Sequence, residues 1–126
     1  MQYDKNNIFA QILRGEISCD KVYESDYALA FKDINPQAKI HILVIPKGPY
    51  TNVDHFSNNA SDKEIVGLMK AVTEVCKISK ISEEHGGKGF RCIANTGLDG
   101  FQEVSHFHFH ILGGESVGLK VVRKDR

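Results

Sequence analysis

The chain has 126 residues, 41% hydrophobic and 25% charged, which fits one domain with a true hydrophobic core. Sixteen Lys and Arg balance sixteen Asp and Glu, so a net charge of zero supplies no basic field for non-specific nucleic-acid or membrane binding. No apolar run approaches the roughly 18–20 residues that cross a bilayer, and the N-terminal residues 1–5 lack the basic region and apolar core of a signal peptide.

In chain order, Asn6 or Asn7 can cap a short helix through residue 14, with Ile8, Phe9, Ile12 and Leu13 on one face and Gly15 placed to end it. Residues 22–24 and 28–31 read as two short strands around a tight Ser25-Asp26 turn. Residues 33–38, with Asn35-Pro36, have loop chemistry. Residues 40–45 are apolar on both faces apart from His41 and are stopped by Pro46, the pattern of a central strand. Residues 47–59 read as loop. The clearest helical signal runs from 59 to 82, where Ser61 and Glu64 are spaced as a capping box and Leu68, Val72, Val75 and Cys76 share one face.

Residues 90–94 alternate as a strand, and a polar loop follows from Asn95 through Gln102 and Glu103. His106-Phe107-His108-Phe109-His110 reads as the last strand, ended by Gly113-Gly114. Residues 115–126 form a tail in which Val121-Val122 is a candidate short edge strand. Cys19, Cys76 and Cys92 are odd in number and widely spaced, so free thiols in a reducing cytosol are expected. The pattern predicts one α+β domain over residues 1–126: a five-stranded antiparallel meander sheet with a short N-terminal helix and one long helix.

Successive side chains of a strand point to opposite faces. His106, His108 and His110 should therefore share one face, while Phe107, Phe109 and Ile111 anchor the other. Three readings follow. An imidazole can attack an electrophilic phosphorus or carbonyl, with its neighbours binding phosphate oxygens. Two imidazoles with His41 or a carboxylate can hold zinc, although three same-face positions span about 13 Å, too far for all three to close on one ion. The bland alternative is a row of solvated histidines. Three in register, with a fourth inside an apolar strand, make it the weakest of the three.

His106-Phe107-His108-Phe109-His110-Ile111-Leu112 matches His-φ-His-φ-His-φ-φ, with φ apolar, and so resembles the histidine triad (HIT) family of nucleotide hydrolases and transferases. The likeness covers nearly the whole chain. Ile8-Phe9, Arg14-Gly15-Glu16-Ile17, Leu29-Ala30-Phe31, Asp33-Ile34-Asn35-Pro36, residues 41–47 and residues 100–114 look like its histidine triad nucleotide-binding, Hint-like branch.

The resemblance implies a HIT-like fold and a homodimer built on the long helix and the 90–94 strand. It also implies hydrolysis of the P–N bond of purine nucleoside 5′-phosphoramidates, of AMP-amine or aminoacyl-AMP type. His108 would form a nucleotidyl-histidine, His106 and His110 would support it or bind phosphate, and His41 would complete the cluster. Asn95 would hold phosphate, and Gln102 and Glu103 would sit by the phosphate or leaving group. Asp33 would bind the ribose hydroxyls, with an Asx turn beside Pro36 as its bland alternative. Ile34, Phe9, Ile17 and Phe31 would wall the purine, with plain core as theirs.

No cofactor or metal is implied, and an AMP-like nucleotide is the expected partner, without nucleic acid or membrane, in the cytoplasm. A dinucleoside polyphosphate hydrolase and a non-enzymatic nucleotide-binding or scaffold protein are the rivals. Two positions depart from many relatives. Glu103 stands where serine is common and would bias the pocket towards cationic or amine leaving groups. Phe101 replaces a glycine of Gly-Gly-Gln.

Overall fold

A computed structural model describes residues 2–119. Its elements are α1 (Ile8–Leu13), β1 (Lys21–Glu24), β2 (Ala28–Lys32), β3 (Ile40–Pro46), α2 (Val53–Asn59), α3 (Asp62–Ile78), a 3-10 turn (Glu83–His85), β4 (Phe90–Ile93) and β5 (Phe109–Gly113). The α+β class and the five antiparallel strands stand as expected. The candidate edge strand at residues 121–122 lies outside the described residues.

Local chemistry accounts for the helix starts. Asn7 caps α1 by accepting from the Ala10 amide at 2.8 Å. At α3 the capping box closes in both directions: the Ser61 hydroxyl accepts from the Glu64 amide at 3.2 Å, and the Glu64 carboxylate accepts from the Ser61 amide at 3.0 Å. The loop expected over residues 47–59 is corrected, because α2 occupies its second half. Asn52 caps α2 through the His55 amide at 2.9 Å, and only Phe56 in it is buried, so no amphipathic stripe announces it.

The sheet order is β1-β2-β3-β5-β4. A strict meander would set β4 beside β3. Instead the α3 connection carries β4 to the outer edge, and β5 returns between them, pairing Leu43 with His110 and Ile93 with His110. Ala28, Ala30, Ile42, Val44 and Ile111 face α3 in one core with Leu68, Val72 and Val75. Leu29, Phe31, Leu43 and Ile45 face the other way, against Phe9 of α1. Alternation along β2 and β3 thus separates a packing face from a face shared with α1.

The histidine segment needs one correction. Strand pairing begins only at Phe109, so residues 106–108 approach the sheet as a lead-in with a bend at His106 rather than as part of β5. The alternation survives nonetheless. Phe107 and Phe109 pack into the α3-side core, while His106 and His108 meet Phe9 edge-on at centroid distances of 6.4 and 5.0 Å. The Phe107 amide donates to the Tyr50 carbonyl at 2.7 Å, which ties the lead-in to the loop before α2.

Candidate active site

Obligatory donors and acceptors around the imidazoles fix their tautomers. The Pro46 carbonyl can only accept, so His106 Nε2, at 2.9 Å, must carry hydrogen. His106 Nδ1 then accepts from the Tyr3 hydroxyl at 2.5 Å. The His106 carbonyl in turn accepts from His108 Nδ1 at 2.7 Å. Neutral His108 therefore keeps its lone pair on Nε2. The Gln37 amide donates to His41 Nδ1 at 3.0 Å, which puts the ring hydrogen of neutral His41 on Nε2. That nitrogen reaches His110 Nδ1 at 2.9 Å and lies 3.4 Å from Asp33 Oδ2. Neutral His110 thus bears its hydrogen on Nε2, as a donor.

Burial sets the charge. It pushes His106 from its ordinary 6.5 down to about 4, against the opposing pull of the Pro46 carbonyl. Burial also lowers His108 and His110, while the Asp33 and Glu103 carboxylates partly counter it. The lowered His108 pKa favours a neutral ring at neutral pH, with its lone pair on Nε2.

Stability should follow from His106. Unfolded, its ring takes up a proton near pH 6.5; folded, only near 4. The native advantage is complete above about 6.5 and is lost progressively as pH falls, by roughly 3 kcal/mol at pH 4. Urea unfolding at a series of pH values should show this slope, and a flat profile between 6.5 and 4 would contradict it.

Tyr3 carries no signal in the sequence. It lies in a segment with no periodicity, and only the folded chain brings it to His106. Tyr3→Phe leaves the buried His106 Nδ1 without its donor and should cost about 1–3 kcal/mol in a urea titration at neutral pH.

A cavity of about 600 Å³ opens over these rings. Of the residues singled out in the sequence, Phe9, Asp33, His41, Asn95, Glu103, His108 and His110 line it. Phe101, singled out as the departure from Gly-Gly-Gln, lines it too, and so do Asn35, Gln37, Leu43, Gly100 and Val104, to which the sequence assigns no pocket role. A Cβ at Gly100 would stand 2.4 Å from the Thr96 carbonyl oxygen, so the loop beneath Phe101 closes too tightly for a side chain there.

The other expected residues lie elsewhere. Ile34 is 87% exposed. Ile17 lines a separate pocket with Cys19, Leu29 and Lys47. Phe31 is buried behind Phe9, edge-on at 5.5 Å. His106 is fully buried beneath the cavity rather than lining it. Gln102 spends its amide on the Thr51 and Val104 carbonyls at 2.6 and 2.9 Å and accepts from the Gly97 amide, bracing the loop from within. Asp33 Oδ1 accepts from the Asn35 amide at 2.8 Å, the Asx turn, and its other oxygen faces His41.

Asp33, His41 and His110 bring their ligand atoms within 4.8 Å of one another, a spacing suited to a metal ion. The tautomers oppose it. A neutral imidazole has one lone-pair nitrogen, and in His41 the Gln37 amide already occupies it. Coordination through His41 Nε2 would first have to break that bond.

A five-stranded antiparallel sheet that carries a cluster of imidazoles along a cleft is the arrangement expected of the histidine-triad class of domain. A family model, the HIT domain, matches residues 14–117, and the chain belongs to the HIT family. An uncharacterised HIT-like protein of Azospirillum brasilense is 50% identical over 121 residues, covering 96% of each chain. The purine nucleoside phosphoramidase of Escherichia coli K12 is 40% identical over 122 residues, 95% of this chain and 97% of that one. Among solved structures, a HIT family hydrolase from Clostridium thermocellum superposes with a TM-score of 0.82 at 36% identity, over 94% of this chain and 99% of the other. No helix among the described residues is long and apolar enough to cross a membrane.

Proposed function

We propose that the chain is a purine nucleoside phosphoramidate hydrolase. The observation that carries this reading is the tautomer of His108: its Nδ1–H is spent on the His106 carbonyl, so the lone pair of Nε2 is free on a cavity-lining ring. That nitrogen attacks the α-phosphorus. The P–Nε2 bond forms, the P–N bond to the amine breaks, and the amine departs with a proton drawn from solvent, which the water of the second step returns. Water then attacks the same phosphorus, the P–Nε2 bond breaks, and a nucleoside monophosphate leaves.

His110 Nε2–H and the Asn95 amide bind phosphate oxygens, and His41 holds His110 in that tautomer. The outer lone pairs of Asp33 accept the ribose hydroxyls, and Phe9 with Leu43 forms the apolar wall. The Escherichia coli relative, named for this activity, supports the same chemistry.

The reading includes a cytoplasmic homodimer joined through the edge strand β4 and the outer face of α3. Phe90, Val66, Met69 and Ile78 are each at least 40% exposed there.

Adenosine 5′-phosphoramidate should exceed diadenosine polyphosphate in kcat/KM by about a hundredfold or more. The reverse preference would favour the polyphosphate hydrolase, and nucleotide binding without turnover would favour a scaffold. Activity should also survive exhaustive chelation; loss restored by zinc would overturn the metal-free mechanism.

A further inference from the structure

We infer that Glu103 and Phe101 form an ammonium-binding rim that selects leaving groups carrying a positive charge. The inference rests on the P–N reading above and names the substrate class within it.

Charge is the first argument. Two carboxylates, Asp33 and Glu103, line the cavity, and among the described residues lining it there is no Lys or Arg. Burial favours the neutral form of His108 and His110. A single phosphoryl charge can be met by the N–H groups of the cluster. A leaving group with further negative charge finds no Lys or Arg among the described lining residues, and it must pass an exposed carboxylate at Glu103. A leaving group with a positive tail gains from the same carboxylate.

Phe101 is the second argument. Its φ is +56°, in the left-handed region that bulky side chains avoid. The turn is closed by the Phe101 amide on the Leu98 carbonyl and the Gln102 amide on the Gly97 carbonyl, both at 3.1 Å, and it holds the ring 75% exposed at the cavity, two residues from Glu103. An aromatic face and a carboxylate at one rim attract the same ligand, a cation, by quadrupole and by charge. A primary ammonium on a flexible alkyl chain, as in a diamine linked through P–N, fits this rim.

The test uses three adenosine 5′-phosphoramidates with butyl tails ending in an ammonium, a methyl or a carboxylate. In the native protein at low salt, kcat/KM should be about tenfold higher for the ammonium tail than for the methyl tail, and lowest for the carboxylate. Added salt should shrink the spread. Glu103→Gln should bring the three within about twofold, and Glu103→Lys should invert the order. Phe101→Leu, which keeps bulk and removes the π face, should cut the ammonium preference by about two- to threefold. The readout is a ratio between substrates, so a general loss of activity does not disturb it. Equal turnover of the three tails, or a preference that persists in Glu103→Gln, overturns the rim and leaves P–N hydrolysis standing. No turnover of any of the three overturns both.

Discussion

His108→Ala is expected to lower kcat/KM for adenosine 5′-phosphoramidate by roughly ten-thousandfold or more, measured in steady state against the native protein. The size follows from the role. The substitution removes the atom that forms the bond, so the two-step route through a nucleotidyl-histidine closes. The neighbouring groups offer no replacement: His106 is buried with both ring nitrogens engaged, and His110 Nδ1 is engaged by His41. The change orphans the His106 carbonyl and removes the ring contacts to Phe9 and His110, and the orphaned carbonyl alone costs about 1–3 kcal/mol, so a urea titration accompanies the kinetics to show that the variant is folded. A folded variant with near-native turnover would remove His108 from the mechanism.

Phe107→Ala should have the largest effect on stability, about 3–5 kcal/mol. Phe107 is 2% exposed and packs against Phe56 and Phe109, each at a centroid distance of 5.1 Å. The truncation opens a cavity in the α3-side core next to the two histidines that the lead-in carries. A thermal melt should show Tm lower by about 10–20 °C. A shift of only a few degrees would mean that the core closes over the gap and that the hydrogen bonds of Phe107 to Tyr50 and of His106 to Pro46 and Tyr3 hold the segment without the ring.

Elements driven by periodicity are legible in the amino-acid sequence. Helix α3 announces itself through its stripe and its capping box, and β3 through an apolar run with one polar member. Helix α2 stays hidden because a single buried residue, Phe56, has no period. The facing of His106, His108 and His110 follows from alternation, although ladder pairing does not reach the first two.

The apolar wall of the pocket is harder to read. Hydrophobicity alone does not separate Phe9, which lines the cavity, from Phe31 behind it or from exposed Ile34. Tyr3, Gln37 and the inward-facing amide of Gln102 escape for a different reason. They act through single hydrogen bonds to groups brought near only by folding, which leave no pattern along the chain.

The nucleophile can be located directly. The protein is mixed with adenosine 5′-phosphoramidate, quenched within the first turnover under alkaline denaturing conditions that preserve P–N bonds, and mapped by peptide mass spectrometry. The adenylyl group should be found on His108 in the native protein and on no residue in His108→Ala. An adduct on His110 or His41, or a burst of amine release with no adduct at all, would contradict attack by His108 Nε2.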